Sequence, residues 1–237
     1  MVIITYLIFF SAFHFLSRNN FINKNTRLFF LKSRIFRRLL ILNEYGDARF
    51  DYLSPDKSKV FVEVDYQLGY APEIDLETVL TDIMTQLLDK QVEVKITQDK
   101  ELPDLREFED KHIIQILQET QNYTENSEQS YLHLLYLSKS AEQPDNTGLV
   151  LGSNDLIIFK ETINELTERP ELIKRIEEST IKHEFGHLLG VEHIEREDCI
   201  MSEYVEVLGN YKFQKNNIPT QYCGDTIVQI EDYKSML

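Results

Sequence analysis

The sequence contains few of the residues that mark several protein classes. It has no tryptophan, two cysteines, eight glycines and six prolines among 237 residues. Two cysteines exclude a small scaffold held by several disulfides, and the low glycine and proline counts exclude a collagen or a low-complexity chain. Because 42% of the residues are hydrophobic, the chain can bury a core, and we expect one ordinary domain with at most a short appendage.

Positive charge is also scarce. The chain has 25 Lys and Arg residues against 40 Asp and Glu residues, which gives a formal net charge of -15. Binding to the phosphates of nucleic acids without regard to sequence requires clustered positive charge. We therefore expect no nucleic-acid partner.

Acidic residues are absent from residues 1–42, although this segment holds seven Lys and Arg residues. Residues 1–16 are nearly all apolar, yet they fall short of the ~20 residues that cross a bilayer. We divide the chain into this basic, apolar segment, 1–42, and a domain, 43–237. The segment is open to three interpretations: a membrane anchor, a targeting segment, or a start codon placed too early. Residues 27–42 are typical of a helix that lies on an anionic membrane surface.

Hydrophobic periodicity predicts the elements of the domain. Alternating patterns predict strands over 59–66, 91–97, 131–137 and 149–159. Helical patterns predict helices from Pro72 to about residue 88, over 105–120, and from Pro170 to Leu189. This order indicates a mixed α/β sandwich with most of its sheet ahead of a long helix. Gly186 inside that helix costs about 1 kcal/mol relative to Ala, which indicates the close approach of another group. We expect His133, in the third strand, to be structural.

The long helix carries the motif H-E-F-G-H-L-L-G-V-E-H over residues 183–193. His183 and His187 are one helical turn apart, so they can present two nitrogens to one ion. Gly190 ends the helix and lets the chain return, which brings His193 to the same point. Three neutral imidazoles leave one position of a tetrahedral zinc ion open for water, as in catalytic sites. The pattern therefore predicts one catalytic Zn²⁺, with Glu184 beside it as the base.

This motif, followed by Met201, resembles the signature of the metzincin zinc peptidases, and the short Cys-Ile-Met spacing over 199–201 is similar to the archaemetzincin branch. The resemblance implies an α/β (α+β) fold with a mixed, mostly parallel sheet and an antiparallel edge strand. It also implies a long active-site helix that ends at Gly190, and a Met turn in which Met201 forms an apolar floor beneath the zinc. Residues 149–159 are the candidate edge strand that takes up the substrate, with a plain core strand as the alternative.

The chain departs from the archaemetzincin pattern at its cysteines. Ile194 stands where that branch has a cysteine, and Cys223 alone stands where it has a C-x-x-C pair, so we expect the second, structural zinc to be absent. Two buried, reduced thiols, Cys199 and Cys223, fit a cytoplasmic location, whereas a disulfide between them requires an oxidising compartment. Tyr204 lies three residues after Met201, one residue beyond the position from which some metzincins steady the transition state, and it is a candidate for that role.

The predicted function is a zinc metallopeptidase. His183, His187 and His193 bind the zinc, and Glu184 takes a proton from the zinc-bound water that attacks the peptide carbonyl. The expected partner is a peptide or protein substrate, and residues 1–42 offer a second contact with a membrane. The alternative is a zinc-bearing peptide-binding or scaffolding domain without catalysis, which the departures from the family pattern favour.

Overall fold

The computed structural model describes residues 8, 10, 11, 13, 14, 21–97, 101–123, 126–205 and 218–237. Within these ranges the helices are α1 (Phe21–Leu31), α2 (Arg34–Leu39), α3 (Arg49–Leu53), α4 (Leu76–Leu87), α5 (Asp110–Thr120), α6 (Lys160–Leu166), α7 (Pro170–Leu188) and α8 (Gly224–Ser235). The strands are β1 (Lys59–Tyr66), β2 (Gln91–Ile96), β3 (Gln129–Leu137), β4 (Gly148–Leu151) and β5 (Asp155–Phe159).

The five strands form one sheet in the order β2-β1-β3-β5-β4. Neighbouring strands run parallel except at β4, which pairs antiparallel with β5. A parallel pair needs a crossover, and helices follow β1 and β2 to supply it. The predicted fold class, a mixed and mostly parallel sheet with an antiparallel edge strand, is confirmed.

The alternation of side chains along the strands divides the core between the two faces of the sheet. On one face the valines of β1 pack with α4 and α7. On the other face Leu135, Leu137, Ile157 and Phe159 pack with α5. The helix that carries the motif therefore lies on one face of the sheet, and α5 lies on the other.

Several predicted boundaries are wrong. The strand predicted over 149–159 is two strands, because residues 152–154, Gly-Ser-Asn, form a turn between β4 and β5. Helix α4 begins at Leu76 and not at Pro72, since the side chain of Asp75 caps it by accepting from the amide of Thr78 at 3.2 Å. Helices α6 and α8 were not expected from the sequence.

The described part of the N-terminal segment packs on the domain. Residues 27–42 do not form the single predicted helix, because α1 and α2 are separated at residues 32 and 33. Arg27 of α1 is buried and its Nε donates to Asp47 at 2.9 Å, while Arg37 of α2 is buried and pairs with Asp51. Beside these ion pairs lies a small apolar cluster formed by Phe13, Leu31, Leu40, Leu42 and Phe50.

The predicted membrane anchor falls mostly outside the described residues, since only five positions among residues 1–16 are described. Among the helices that are described, none has both the length and the apolar character required to cross a bilayer.

Candidate metal centre

Three histidines converge at the end of α7. The Nε2 atoms of His183 and His187 are 3.0 Å apart, and the Nε2 atom of His193 lies 3.2 Å from that of His187 and 3.3 Å from that of His183. Tetrahedral bonds of about 2.0–2.1 Å to one zinc ion place their nitrogens about 3.3–3.4 Å apart. The three histidines predicted as ligands are thus brought together at spacings that fit one such ion.

The hydrogen bonds of the first two histidines decide which ring nitrogen carries the proton. Nδ1 of His183 donates to the carbonyl oxygen of Ile200 at 2.6 Å, and Nδ1 of His187 donates to that of Val191 at 2.8 Å. A carbonyl oxygen can only accept, so Nδ1 holds the proton and Nε2 keeps its lone pair. Converging lone pairs repel one another unless a cation lies between them, which is the donor chemistry of a metal site.

A turn at Gly190 positions the third histidine. The helix ends at Leu188, and Gly190 has φ +78°, a conformation that residues with side chains rarely adopt. Its amide donates to the carbonyl oxygen of His187 at 2.8 Å, which closes the helix end. The chain then reverses, and His193 returns towards the end of α7, as the sequence predicted.

Arg49 packs against this turn from the N-terminal side. A Cβ atom at Gly190 would lie 2.6 Å from Nη1 of Arg49, so a side chain at position 190 would displace the guanidinium group from its position against the turn. The guanidinium group also lies 4.5 Å from the ring centroid of Tyr233 in α8, and the hydroxyl of Tyr233 donates to the carbonyl oxygen of Gly190 at 3.3 Å. Arg49 and Tyr233 together hold the turn that leads to His193.

Tyr45, four residues before Arg49, contacts one of the three histidines, His187. Its ring centroid is 6.1 Å from that of His187, in an edge-to-face arrangement. Sequence reasoning missed Tyr45, Arg49 and Tyr233 because no local pattern connects them to a motif so distant along the chain. A contact with the motif that depends on tertiary packing leaves no periodic signal in the sequence.

Glu184 is buried beside the histidines, and the edge strand passes close to it. A Cβ atom at Gly148, the first residue of β4, would lie 2.8 Å from Cγ and 3.0 Å from Oε1 of Glu184. Glycine at position 148 therefore lets the backbone of the edge strand approach this carboxylate closely. The sequence did not single out Gly148.

Met201 lies in a turn beneath the helix. Its carbonyl oxygen accepts from the amide of Ile194 at 2.8 Å, and its side chain is fully buried. A Cβ atom at Gly186 would lie 2.8 Å from Cε of Met201 and would overlap with the sulfur. Met201 is therefore the group whose close approach the glycine at position 186 indicated.

Tyr204 lies on a short 3-10 turn, Glu203–Val205, and is 43% exposed. Its amide donates to Oγ of Ser202 at 3.4 Å. Its proposed part in steadying a transition state stays a prediction.

The two cysteines form a disulfide, so the prediction of two reduced thiols is wrong. Cys199 and Cys223 have Cα atoms 5.1 Å apart, within the range that a disulfide spans. They meet because the amide of Ile200 donates to the carbonyl oxygen of Gln221 at 3.1 Å, which joins the Met turn to the segment before α8. Ile194 packs against the hydrophobic core cluster that contains Cys199.

The family model for matrixin, Peptidase_M10, matches residues 117–220, a range that contains the three histidines, Glu184 and Met201. The archaemetzincin from Methanopyrus kandleri matches with a TM-score of 0.54 at 15% identity, over 77% of this chain and 99% of its own. The chain has a metzincin-like fold. Its resemblance to the archaemetzincin branch, expected from the motif and the Met spacing, is confirmed.

Two further solved structures match the metzincin-like chain over nearly their whole length. The archaemetzincin from Archaeoglobus fulgidus, complexed with malonate, has a TM-score of 0.46 at 14% identity and covers 72% of this chain and 99% of its own. A zinc-dependent peptidase from Methanocorpusculum labreanum has a TM-score of 0.47 at 14% identity and covers 71% of this chain and 99% of its own. No curated protein matches the chain by sequence.

Proposed function

We propose that the protein is a zinc-dependent peptidase. The observation that carries the proposal is the convergence of three Nε2 atoms, two of them with their Nδ1 protons held by backbone carbonyls, beside a buried glutamate. The matrixin match and the archaemetzincin-like fold support the same class of chemistry. A single zinc ion held by His183, His187 and His193 would supply a Lewis acid and lower the pKa of a water molecule towards about 7.

Glu184 is the proposed general base. It follows His183 directly, and burial at 1% exposure keeps its carboxylate away from bulk solvent. In the proposed reaction this carboxylate takes a proton from the attacking water and later gives it to the leaving amine. In this proposal the disulfide and Met201 stabilise the turn that packs against the helix of the histidines. The relative positions of the base and the ligands are thereby fixed.

The edge strand is the proposed docking site for the substrate backbone. β4 is the last strand in the order of the sheet and starts at Gly148, against Glu184. An extended peptide that pairs with β4 adds a strand to the sheet. Its carbonyl groups would then lie near the carboxylate of Glu184, the proposed base. This arrangement suits peptides and unfolded segments as substrates.

Peptide cleavage by the zinc-loaded full chain tests the proposal, with a diverse peptide mixture and detection of products by mass spectrometry. The matched control is Glu184→Gln, which keeps the shape of the side chain but cannot accept the proton. We expect one zinc per chain in both proteins and a loss of cleavage of about 100-fold or more in the variant.

Equal cleavage by Glu184→Gln would contradict the assignment of the base. A zinc-loaded parent protein that retains peptides without producing fragments would contradict the peptidase proposal and support the peptide-binding alternative.

A further inference from the structure

An exposed apolar surface lies on the N-terminal helices α1 and α2. The proposed peptidase activity does not use it. We call it the apolar face; it consists of Phe29, Ile35, Phe36, Leu39 and Ile41. Ile35 is the most exposed of the five, at 71%. The ring of Phe30 contacts those of Phe29 and Phe36 at 5.4 Å each, so the face continues from α1 to α2. Contiguous exposed apolar surface usually marks a site of interaction.

A basic cavity adjoins this face. It has a volume of about 360 Å³, and Arg34, Arg37 and Arg38 line it together with Ile41 of the apolar face. Asp51 is the one acidic side chain in its lining, and Arg37 and Lys57 already pair with that carboxylate. The cavity therefore has a positive charge, in a protein with a formal net charge of -15.

Ile41 connects the cavity and the apolar face at the cost of backbone strain. It has φ +54° at the end of α2, where the amide of Leu42 donates to the carbonyl oxygen of Arg37 at 2.9 Å. Glycine is the usual residue at this position of a helix end, and a β-branched residue there is an outlier. The side chain of Ile41 is nevertheless 61% exposed, so burial within the protein does not offset the strain.

We propose that this surface docks on an anionic membrane, with the cavity receiving the phosphate of a phospholipid and the apolar face entering the interface. Guanidinium groups bind phosphate through paired hydrogen bonds, and apolar side chains beside basic ones are typical of helices in the plane of a membrane. Residues 1–42 contain no acidic residue that would repel anionic lipids. This docking requires no membrane-spanning helix and is independent of the peptidase proposal.

Co-sedimentation of the full chain with lipid vesicles tests the proposal. One set of vesicles contains phosphatidylcholine alone, and the other contains phosphatidylcholine with phosphatidylserine. We expect the protein to sediment with the anionic vesicles and to be released as salt is added, because screening weakens attraction to the surface. Equal sedimentation with both sets, or with neither, would overturn the proposal.

Two double variants locate the contact. The combination Arg34→Gln with Arg38→Gln reduces the charge of the cavity, and Ile35→Ser with Leu39→Ser reduces the apolar face. Each double variant should bind the anionic vesicles about tenfold or more weakly. The matched control combines Arg106→Gln with Leu68→Ser, two highly exposed residues outside the N-terminal segment, and should bind like the parent.

Circular dichroism checks that each variant is folded, and the apolar variant keeps the test valid if the arginine variant does not fold. Unchanged binding by a folded double variant would overturn the assignment to this surface. Titration with inorganic phosphate separates a lipid from a free anion: binding of phosphate by a protein that does not sediment with vesicles would overturn the lipid proposal.

Discussion

Histidines lie at two places in the fold, and the two places differ in the groups that face the ring nitrogens, which are backbone carbonyls at one and carboxylates at the other. His183 and His187, on α7, donate their Nδ1 protons to the carbonyl oxygens of Ile200 and Val191. His133, in β3 on the opposite face of the sheet, lies between two carboxylates. Its Nε2 is 3.1 Å from Asp65, and its Nδ1 is 3.5 Å from Asp155.

The partner of each ring determines what the histidine can do. Carbonyl partners fix one proton on each ring and leave Nε2 as a ligand. At His133, burial by itself lowers the pKa, but the hydrogen bonds and charges of Asp155 and Asp65 outweigh it and raise the pKa to about 9. A protonated imidazole has no lone pair for a metal. The first setting is thus suited to metal binding and the second to an ion pair in the core.

The largest expected difference between the two settings is in zinc affinity. Removing one of three ligands by His193→Ala should weaken zinc binding by about 300-fold, since a third of a binding free energy on the order of 10 kcal/mol is lost. His133→Gln should leave zinc affinity unchanged. Competition with a zinc-binding dye measures both, and equal losses in the two variants would contradict the distinction.

The second prediction concerns the pH dependence of stability. A histidine whose pKa is higher in the folded chain stabilises the fold while it is protonated. Its contribution is therefore complete below the unfolded pKa of 6.5 and is lost as the pH rises through about 9. The shift corresponds to a difference on the order of 3 kcal/mol in the free energy of unfolding.

Urea unfolding of the parent and of His133→Gln at about pH 6 and about pH 9.5 measures this contribution. The parent should lose more stability than the variant between the two pH values. Lys90 also titrates in this range, because burial lowers its pKa to about 8, but it is present in both proteins and the comparison removes its effect. An identical loss in both proteins would show that His133 is not an ion-paired cation.

The two histidine settings also show how far the sequence predicts the site. The ligands and Glu184 lie within eleven residues, and helical geometry together with the turn at Gly190 determines where they point, so local pattern was sufficient. The surroundings of His133 depend on the register of three strands, which brings Asp65 and Asp155 beside it. From the sequence alone, His133 could be assigned only a structural role in a strand. Its two carboxylate partners could not be identified.

The same limit applies around the metal centre itself. Gly148 and Arg49 contact the motif through the fold, from β4 and from α3. The disulfide was only the less favoured alternative from the sequence for a related reason, because the hydrogen bond between residues 200 and 221, which brings the two cysteines together, depends on the fold. Gly186 was the exception, since its position inside a helix indicated a close neighbour without identifying Met201.

Gly148→Ala tests how closely the metal centre depends on the edge strand. The new methyl group would lie 2.5 Å from Cγ2 of Thr180 and within 3.0 Å of Glu184, so the strand or these side chains must move. A displacement of about 1 Å at a catalytic group costs about 100-fold in rate, and we expect a loss in kcat/KM of that order with zinc content unchanged. Gly69→Ala is a poor control because of its positive φ, so Gly224→Ala, which has open space around it, serves instead. Full activity in Gly148→Ala would contradict the proposed contact.

The smallest effect is expected at Arg49. Arg49→Ala removes the packing on Gly190 and Tyr233 but leaves every ligand in place. Groups that orient ligands typically contribute 10–100-fold to metal affinity, and we expect about a tenfold loss for this indirect contact. Arg175→Ala, a partly buried arginine bonded to the carbonyl oxygen of Ile218, is the matched control. Equal zinc affinity in the parent and in Arg49→Ala would show that Arg49 contributes only to the stability of the fold and not to zinc binding.

X-ray absorption at the zinc edge of the zinc-loaded full chain tests whether the three histidines hold the metal. We expect imidazole nitrogens from three histidines at about 2.0–2.1 Å and one further oxygen ligand, with one fewer imidazole in His193→Ala. We also expect an unchanged spectrum in His133→Gln. A sulfur ligand at about 2.3 Å, or a spectrum that does not respond to His193→Ala, would contradict the assignment of the metal centre to the three histidines.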